Sequence, residues 1–466
     1  MTKPLNQSKA DSAREVALDI IYDVLENGAY SNLSLDKHLK HSQLSQNDKN
    51  FVTEAVNGSI RMVKHLDWVL ALFLKKPVQK QNPWVRNLLR MSVYQLIFMN
   101  RVPDYAIVNS AVELCRKKGA KGLSPVVNGV LRKINKEYNQ LSLPSTTKSE
   151  FLTVKYSQQE WLVSTLLDQW GQEKSLAMLE YWNKPSSVII RPNLLKTSRD
   201  ELRERLCQEG VQVTESIFTP WALVLERMPT SIMRLSSYRD GLFYIQNEAA
   251  MLAASILNPE SGEILLDLCC GVGGKTTHFA EYMGDYGKIR AYDLYEHKVN
   301  LLNENTKRLG IKIVNGWAQD ILGLDQNSKA RYVFLDAPCS GWGVLNRRAD
   351  SRWNQTEEAM GELLILQRKL LYKAAQMVEN DGHMVYSTCT INKAENENMV
   401  RAFLRDNEEF CLEGFADEIS GVNLDQKDRS DALIGMLTIT PGKYQTDGMF
   451  FAKMKKKKER NDEYTE

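Results

Sequence analysis

Histidine and cysteine are sparse in this sequence of 466 residues, and neither is arranged for metal binding. The six His are scattered, and the seven cysteines contain no CxxC pair, which excludes the common structural zinc patterns and leads us to expect no metal. The cysteines (Cys115, Cys207, Cys269, Cys270, Cys339, Cys389 and Cys411) are odd in number and dispersed, which argues against a disulfide framework. A strong charge of one sign is also missing. The formal net charge is +2, so any contact with a polyanion must come from local patches. No apolar run approaches the roughly 20 residues of a membrane helix. The stretch MTKPLNQSKADSAREVALDIIYDVL lacks an apolar core ahead of a cleavage site, so it does not read as a secretory leader. The expectation is a cytoplasmic, reduced chain without membrane contact, and no feature implies an oligomer.

What is present is the balance of a globular protein, 43% hydrophobic and 25% charged, at a length that predicts two or three domains. Residues 1–140 read as helix after helix with almost no strand signal; SAREVALDIIYDVLENG and PWVRNLLRMSVYQLIFMN carry apolar residues at helical spacing. Residues 141–245 are mixed: SSVIIRPNLLKTSRDELRERLCQEGVQV reads as strand, turn, helix, strand, a βαβ unit. Residues 246–455 alternate strands (264–268, 288–294, 311–316, 332–337, 383–388) with helices, which predicts an α/β domain on a parallel sheet covered on both faces. GMFFAKM (448–454) would add an edge strand, and residues 456–466 read as a charged, flexible tail.

Two stretches carry chemistry. In ILLDLCCGVGGKTTHFA (264–280) a strand runs into a turn with Gly271, Gly273 and Gly274, where backbone can approach a ligand, and Asp267 stands at the strand's end. It is not a Walker loop, because Cys269 occupies the position of that motif's first glycine, and it is not a strict GxGxxG. A short glycine turn preceded by an acid is the way class I methyltransferases hold the amino-acid end of S-adenosyl-L-methionine. Asp293, about 20 residues on, suits the ribose hydroxyls, and Asp320 the adenine amino group. Glycine turns and strand-end acids are common in α/β proteins; the combination is what points to a cofactor.

The second signal is DAPCSGWGVLNRRADSRW (336–353) with YSTCT (386–390), each cysteine lying just beyond a predicted strand. Carbon 5 of cytosine is too weak a nucleophile to take a methyl group unaided, and a thiolate adding to carbon 6 activates it. Two cysteines at neighbouring strand ends beside such a cofactor fit that chemistry, with Asp336 available to bond the base. An isolated cysteine is usually a small buried hydrophobe, the reading given to Cys115, Cys207, Cys270 and Cys411. A Cys339–Cys389 disulfide is the redox alternative.

These paired cysteine signatures resemble the RNA cytosine-C5 methyltransferase family, the Sun and nucleolar-protein group. The resemblance implies Cys389 as nucleophile, Cys339 in product release, Asp336 and Lys275 as further catalytic groups, and a class I (Rossmann-like) catalytic domain. It implies cofactor contacts from Asp267, Cys269, Cys270, Gly271, Val272, Gly273, Gly274, Lys275, Asp293, Asp320 and Asp336. The helical region resembles the NusB antitermination fold, and IIRPNLLKTSRDEL (189–202) the family's RNA-binding element ahead of the catalytic domain. A NusB-like domain joined to this catalytic domain is the layout of the family's small-subunit ribosomal RNA enzymes. Trp342, Asn346 and Ala349 depart from the family's usual residues. The expected RNA contacts are Arg191, Arg347, Arg348 and Arg352, with Arg116, Lys117, Lys118 and Lys121 and then Arg132, Lys133 and Lys136 as phosphate-tracking clusters. The other readings are a tRNA cytosine-C5 methyltransferase and a non-catalytic RNA-binding or assembly factor with a relic cofactor pocket.

Overall fold

The computed structural model describes residues 5–40, 42–100, 102–144, 147–325 and 328–458. The chain forms two compact units, one from Met1–Lys184 with Leu345–Gln355, the other from Pro185–Val344 with Thr356–Glu466.

The first unit is helical. Apolar faces of Leu5–Asn27, Gln46–Arg61, Val63–Phe73, Pro83–Phe98 and Ser124–Glu137 close on one core that includes Ala17, Ile21, Val56, Leu66, Leu89 and Leu131. Pro83 occupies the first turn of its helix, where its missing N–H costs nothing, and Asn82 caps the N–H groups of Trp84 and Val85. The unit continues past the expected boundary at 140. Helices Lys148–Tyr156 and Glu160–Trp182 belong to it, tied in by His65 to the Val154 carbonyl (3.2 Å) and by the Lys64 N–H to Ser157 Oγ (3.0 Å). The helical path breaks at Gly171 (φ +72°, ψ 175°).

The second unit carries two sheets. The smaller comprises β1 (Val188–Pro192), β2 (Gln212–Glu215), β3 (Leu223–Arg227) and β4 (Phe243–Ile245), in the order β2-β3-β1-β4 with antiparallel neighbours. β3 lies between β1 and β2, so the expected βαβ unit is split by an intervening strand. Its helix Arg199–Gln208 starts in a Ser198/Glu201 capping box.

The larger sheet holds β5 (Ile264–Leu268), β6 (Lys288–Asp293), β7 (Val314–Ala318), β8 (Ala330–Asp336), β9 (Val378–Thr388), β10 (Phe410–Leu412), β11 (Met436–Ile439) and β12 (Met449–Lys456), in the order β10-β12-β9-β8-β5-β6-β7 with β11 also on β12. The five strands from β9 to β7 are parallel. Alternate residues feed two cores: Leu265, Tyr332, Phe334 and Val385 on one face, Leu266, Val333, Leu335 and Met384 on the other. β12 is an interior strand rather than the expected edge, because Phe450 and Phe451 are buried on opposite faces between β9 and the antiparallel β10 and β11. The start of the expected flexible tail is also ordered. Lys456 closes β12, and Lys455 and Lys458 pair with Asp381. The rest of the tail, from 459, lies outside the described residues. Among the described residues no helix is long and apolar enough to cross a membrane.

Candidate active site

The strand order reverses between β5 and β8, and in an open parallel sheet the crevice at such a switch, beyond the carboxyl ends of the strands, is where ligands bind. Along that edge β9 delivers Cys389, β8 delivers Asp336 and then Cys339, β5 delivers Asp267 and the glycine turn, and β6 delivers Asp293.

At the turn, Asp267 is buried (1% exposed), and Oδ2 accepts the Thr276 hydroxyl at 2.5 Å while Oδ1 has no partner. Burial pushes its carboxyl up to about 7, the Thr276 bond opposing and the Asp336 charge adding. An orphaned, buried carboxylate oxygen calls for a cationic donor. Gly273 (φ +88°) starts helix Gly274–Tyr282 and packs so closely that a Cβ would lie 2.3 Å from Leu302 Cδ1. At Gly271 (φ +57°) a Cβ would meet nothing within 4 Å, so the turn's backbone faces open space. Asp293 accepts the N–H groups of Gly271 and Tyr295, each at 3.0 Å, and pairs with Lys298. Asp320 is exposed and caps a short turn through the Leu322 N–H (3.0 Å). Burial raises the thiols of Cys269, up to about 12, and Cys270, so neither is a ready nucleophile. Val272 is exposed, its carbonyl accepting Asn305 Nδ2 at 3.1 Å. The unsatisfied acid, open glycine backbone and second strand-end acid fit the amino-acid and ribose ends of S-adenosyl-L-methionine.

At the cysteine end, Cys339 Sγ and Cys389 Sγ lie 3.3 Å apart, hydrogen-bond distance and too long for a disulfide. Lys275 Nζ meets Asp336 Oδ2 at 2.6 Å, and Ser387, paired with Asp336 in the β8–β9 register, donates to Oδ1 at 2.9 Å. Burial lowers the Lys275 pKa, but Asp336 and then negative charge on Cys389 outweigh it, so the lysine is held as an ammonium. That attraction is mutual and would stabilise negative charge on the Cys389 sulfur. The Cys339 thiol is driven far up by its hydrogen bond to Cys389, then by burial and the charges of Cys389, Glu395 and Asp336, which favours its protonated form.

Sequence reasoning missed what holds the two cysteine loops. Gly343 leaves no room for a side chain: a Cβ would sit 2.2 Å from the Gly448 carbonyl and 2.7 Å from that of Cys389. Its N–H donates to the Cys389 carbonyl (2.9 Å), and its own carbonyl accepts the Gly448 N–H (2.8 Å). The buried Glu395 accepts the Ser340 N–H and hydroxyl. The glycine and acid were visible in the sequence, but nothing local said that they face the cysteines.

Two of the four expected RNA arginines are structural instead. Arg191, 2% exposed, pairs with Glu281 (2.7 Å) and bonds Gln246, Thr277 and the Gly274 carbonyl, bracing the helix that follows the glycine turn. Arg352, 1% exposed, lies in the helical unit and donates to Asn183 Oδ1 (2.8 Å) and to the Trp182 and Ser157 carbonyls. Burial lowers its pKa strongly, and the Arg61 charge adds. Arg347 and Arg348 are exposed. Ala349, one of the departures from the family's usual residues, packs in the helical core. In the basic cluster Lys117 pairs with Glu15, and Lys118 with Glu15 and Asp19.

The 16S rRNA methyltransferase RsmB/F family matches residues 254–455, the NusB family residues 11–136, and an RsmF/B-like ferredoxin-like domain residues 158–232. A probable ribosomal RNA small subunit methyltransferase B from Synechocystis is 35% identical over 96% of this chain and 99% of its own length. The chain belongs to the RsmB/F methyltransferase family. A second relative of the same name, from Bacillus subtilis, is 34% identical over 96% of this chain and 100% of its own. The crystal structure of PH0851 matches 98% of the chain and 100% of its own with TM-score 0.80 at 26% identity.

Proposed function

We propose that this protein transfers a methyl group from S-adenosyl-L-methionine to carbon 5 of a cytosine in small-subunit (16S) ribosomal RNA, in the cytoplasm. The observation that carries the reading is the pair of thiols 3.3 Å apart beside the Lys275–Asp336 ion pair, at the strand edge that also bears an unsatisfied acid.

Bound at the glycine turn, S-adenosyl-L-methionine supplies an electrophilic methyl group. Asp267 would take its ammonium, the backbone of Gly271 to Gly274 its amino-acid end, Asp293 its ribose and Asp320 its adenine. The cytosine must be presented unstacked, because carbon 6 is out of reach within a helical stack. Cys389, favoured as thiolate by Lys275, adds to carbon 6 and moves electron density onto carbon 5. Asp336 bonds the base during attack. After carbon 5 has taken the methyl group, a base such as solvent water removes its proton; the C–H electron pair restores the ring double bond and the C6–S bond breaks, expelling the Cys389 sulfur as thiolate. Cys339, whose protonated form is favoured, would protonate the departing thiolate. Arg347 and Arg348, both exposed, would meet phosphate.

The test is transfer of labelled methyl to unmodified small-subunit rRNA, with nucleoside analysis of the product. Formation of 5-methylcytidine supports the reading. Transfer to tRNA alone would move the substrate, and no transfer with no cofactor binding would favour an RNA-binding factor.

A further inference from the structure

Behind both cysteine loops lies a fully buried carboxylate, Glu395, which has no part in the chemistry assigned to Cys339, Cys389, Lys275 and Asp336. It belongs to the turn that follows β9, ahead of helix Glu397–Asp406. Its Oε2 accepts the Ser340 N–H (2.9 Å) and Gln367 Nε2 (2.8 Å), and its Oε1 accepts the Ser340 hydroxyl (2.6 Å) and Asn392 Nδ2 (3.0 Å). Four donors saturate the carboxylate, as a buried charge requires. Ser340 follows Cys339 directly, and its Oγ lies 2.7 Å from Oγ1 of Thr390, which follows Cys389. The neighbouring Asn396 grips the same loop, accepting the Thr388 hydroxyl at 2.6 Å and donating to the Thr390 carbonyl at 3.0 Å. Gln367 also donates to the Pro338 carbonyl (2.9 Å) on the other side of Cys339.

We propose that Glu395 is a positioning residue that locks the Cys339 loop to the Cys389 loop through Ser340 and Thr390 and so sets the spacing of the two sulfurs. The inference rests on the two-cysteine reading of the site. Glu395 reaches no reacting atom; it acts by fixing Ser340 on both its N–H and its hydroxyl, which leaves the adjacent Cys339 little freedom to swing. Its negative charge also helps keep the proton on Cys339, the form that can return it to a leaving thiolate. A neutral amide cannot substitute. Glutamine keeps the size of the side chain but turns one acceptor into a donor, which then faces the Ser340 N–H and Gln367 Nε2 at the Oε2 position, or Asn392 Nδ2 at the Oε1 position.

The test measures the sulfur pair itself. Diamide takes two electrons and two protons from the two thiols, joins them as a disulfide and is reduced to the hydrazine, and mass spectrometry of the full-length protein counts the Cys339–Cys389 bridge. Glu395→Gln should slow bridging roughly tenfold and lower kcat by a similar factor, with KM for S-adenosyl-L-methionine unchanged. Ser340→Ala, which removes a single hydroxyl, should show part of the same loss, and the double variant should be no slower than Glu395→Gln alone. If Glu395→Gln folds poorly, Ser340→Ala decides. Bridging at the wild-type rate in the folded variants would overturn the proposal. Slowed bridging in a protein that transfers no methyl group to RNA would reject the methyltransferase reading and keep the clamp.

Discussion

The glycine turn from Asp267 to Lys275 and the segment Leu345–Gln355 both looked, in sequence, like places where a ligand is met, the first by glycines and an acid, the second by arginines. They differ in what their polar groups have already found. At the turn a buried carboxylate oxygen is unsatisfied and glycine backbone faces open space. In the segment, Arg352 is enclosed by carbonyls of the helical unit, Asp350 accepts the Ser31 hydroxyl at 2.7 Å, and Trp353 Nε1 donates to the Ile60 carbonyl at 2.7 Å. The lesson is that an arginine near a reactive cysteine in sequence meets a ligand only if the fold leaves it exposed; Arg352 is buried in its own unit, with Nε unpartnered.

Substitutions in the two regions should fail in different ways. The largest effect is expected from Lys275→Met, which removes the cation beside Asp336 and Cys389. Single-turnover methyl transfer should fall by about 10²–10³-fold, with the melting temperature little changed. Arg352→Ala should do the reverse. Stranding its carbonyl partners should cost roughly 2–4 kcal/mol of stability by denaturant unfolding, and any loss of activity should follow loss of fold.

Asp267→Asn should weaken S-adenosyl-L-methionine binding on the order of tenfold by calorimetry, the value of about one charge-assisted hydrogen bond. It should also change the pH dependence of stability. Because the folded protein holds the Asp267 proton up to about 7 while the unfolded chain releases it near the ordinary 3.8, the native state binds more protons between those values. The cofactor-free wild type therefore loses stability from this group as pH rises from about 4 to about 7 and levels off above; the Asp267→Asn variant should lack that slope in thermal melts from about pH 5 to 8. Arg348→Ala should have the smallest effect, within about 0.5 kcal/mol on stability, with a modest loss of rRNA affinity that fades at high salt.

Much of this was legible in the sequence because it is local. Strand β5 matches its expected span residue for residue, and the glycine turn, Asp293 and both cysteines fall where strand-to-loop transitions were read. What was not legible depends on partners distant in the chain. β12 reads as one more apolar strand, and only its pairing with β9 and β11 makes it interior. Arg191 looks like any exposed arginine until Glu281, 90 residues away, is found against it. Glu395 and Gly343 carry no signature, since most of their partners (Ser340 and Gln367 for one, Cys389 and Gly448 for the other) lie far away in the chain and meet them only in the folded sheet.

The most direct test of the central claim, that Cys389 attacks the base and Cys339 completes its release, is a denaturing gel of wild type, Cys389→Ala and Cys339→Ala after incubation with unmodified small-subunit rRNA and S-adenosyl-L-methionine. The predicted result is an RNA-linked band that accumulates in Cys339→Ala and is absent from Cys389→Ala, which also makes no 5-methylcytidine. Methyl transfer that survives Cys389→Ala, or an RNA adduct that forms without that cysteine, would contradict it.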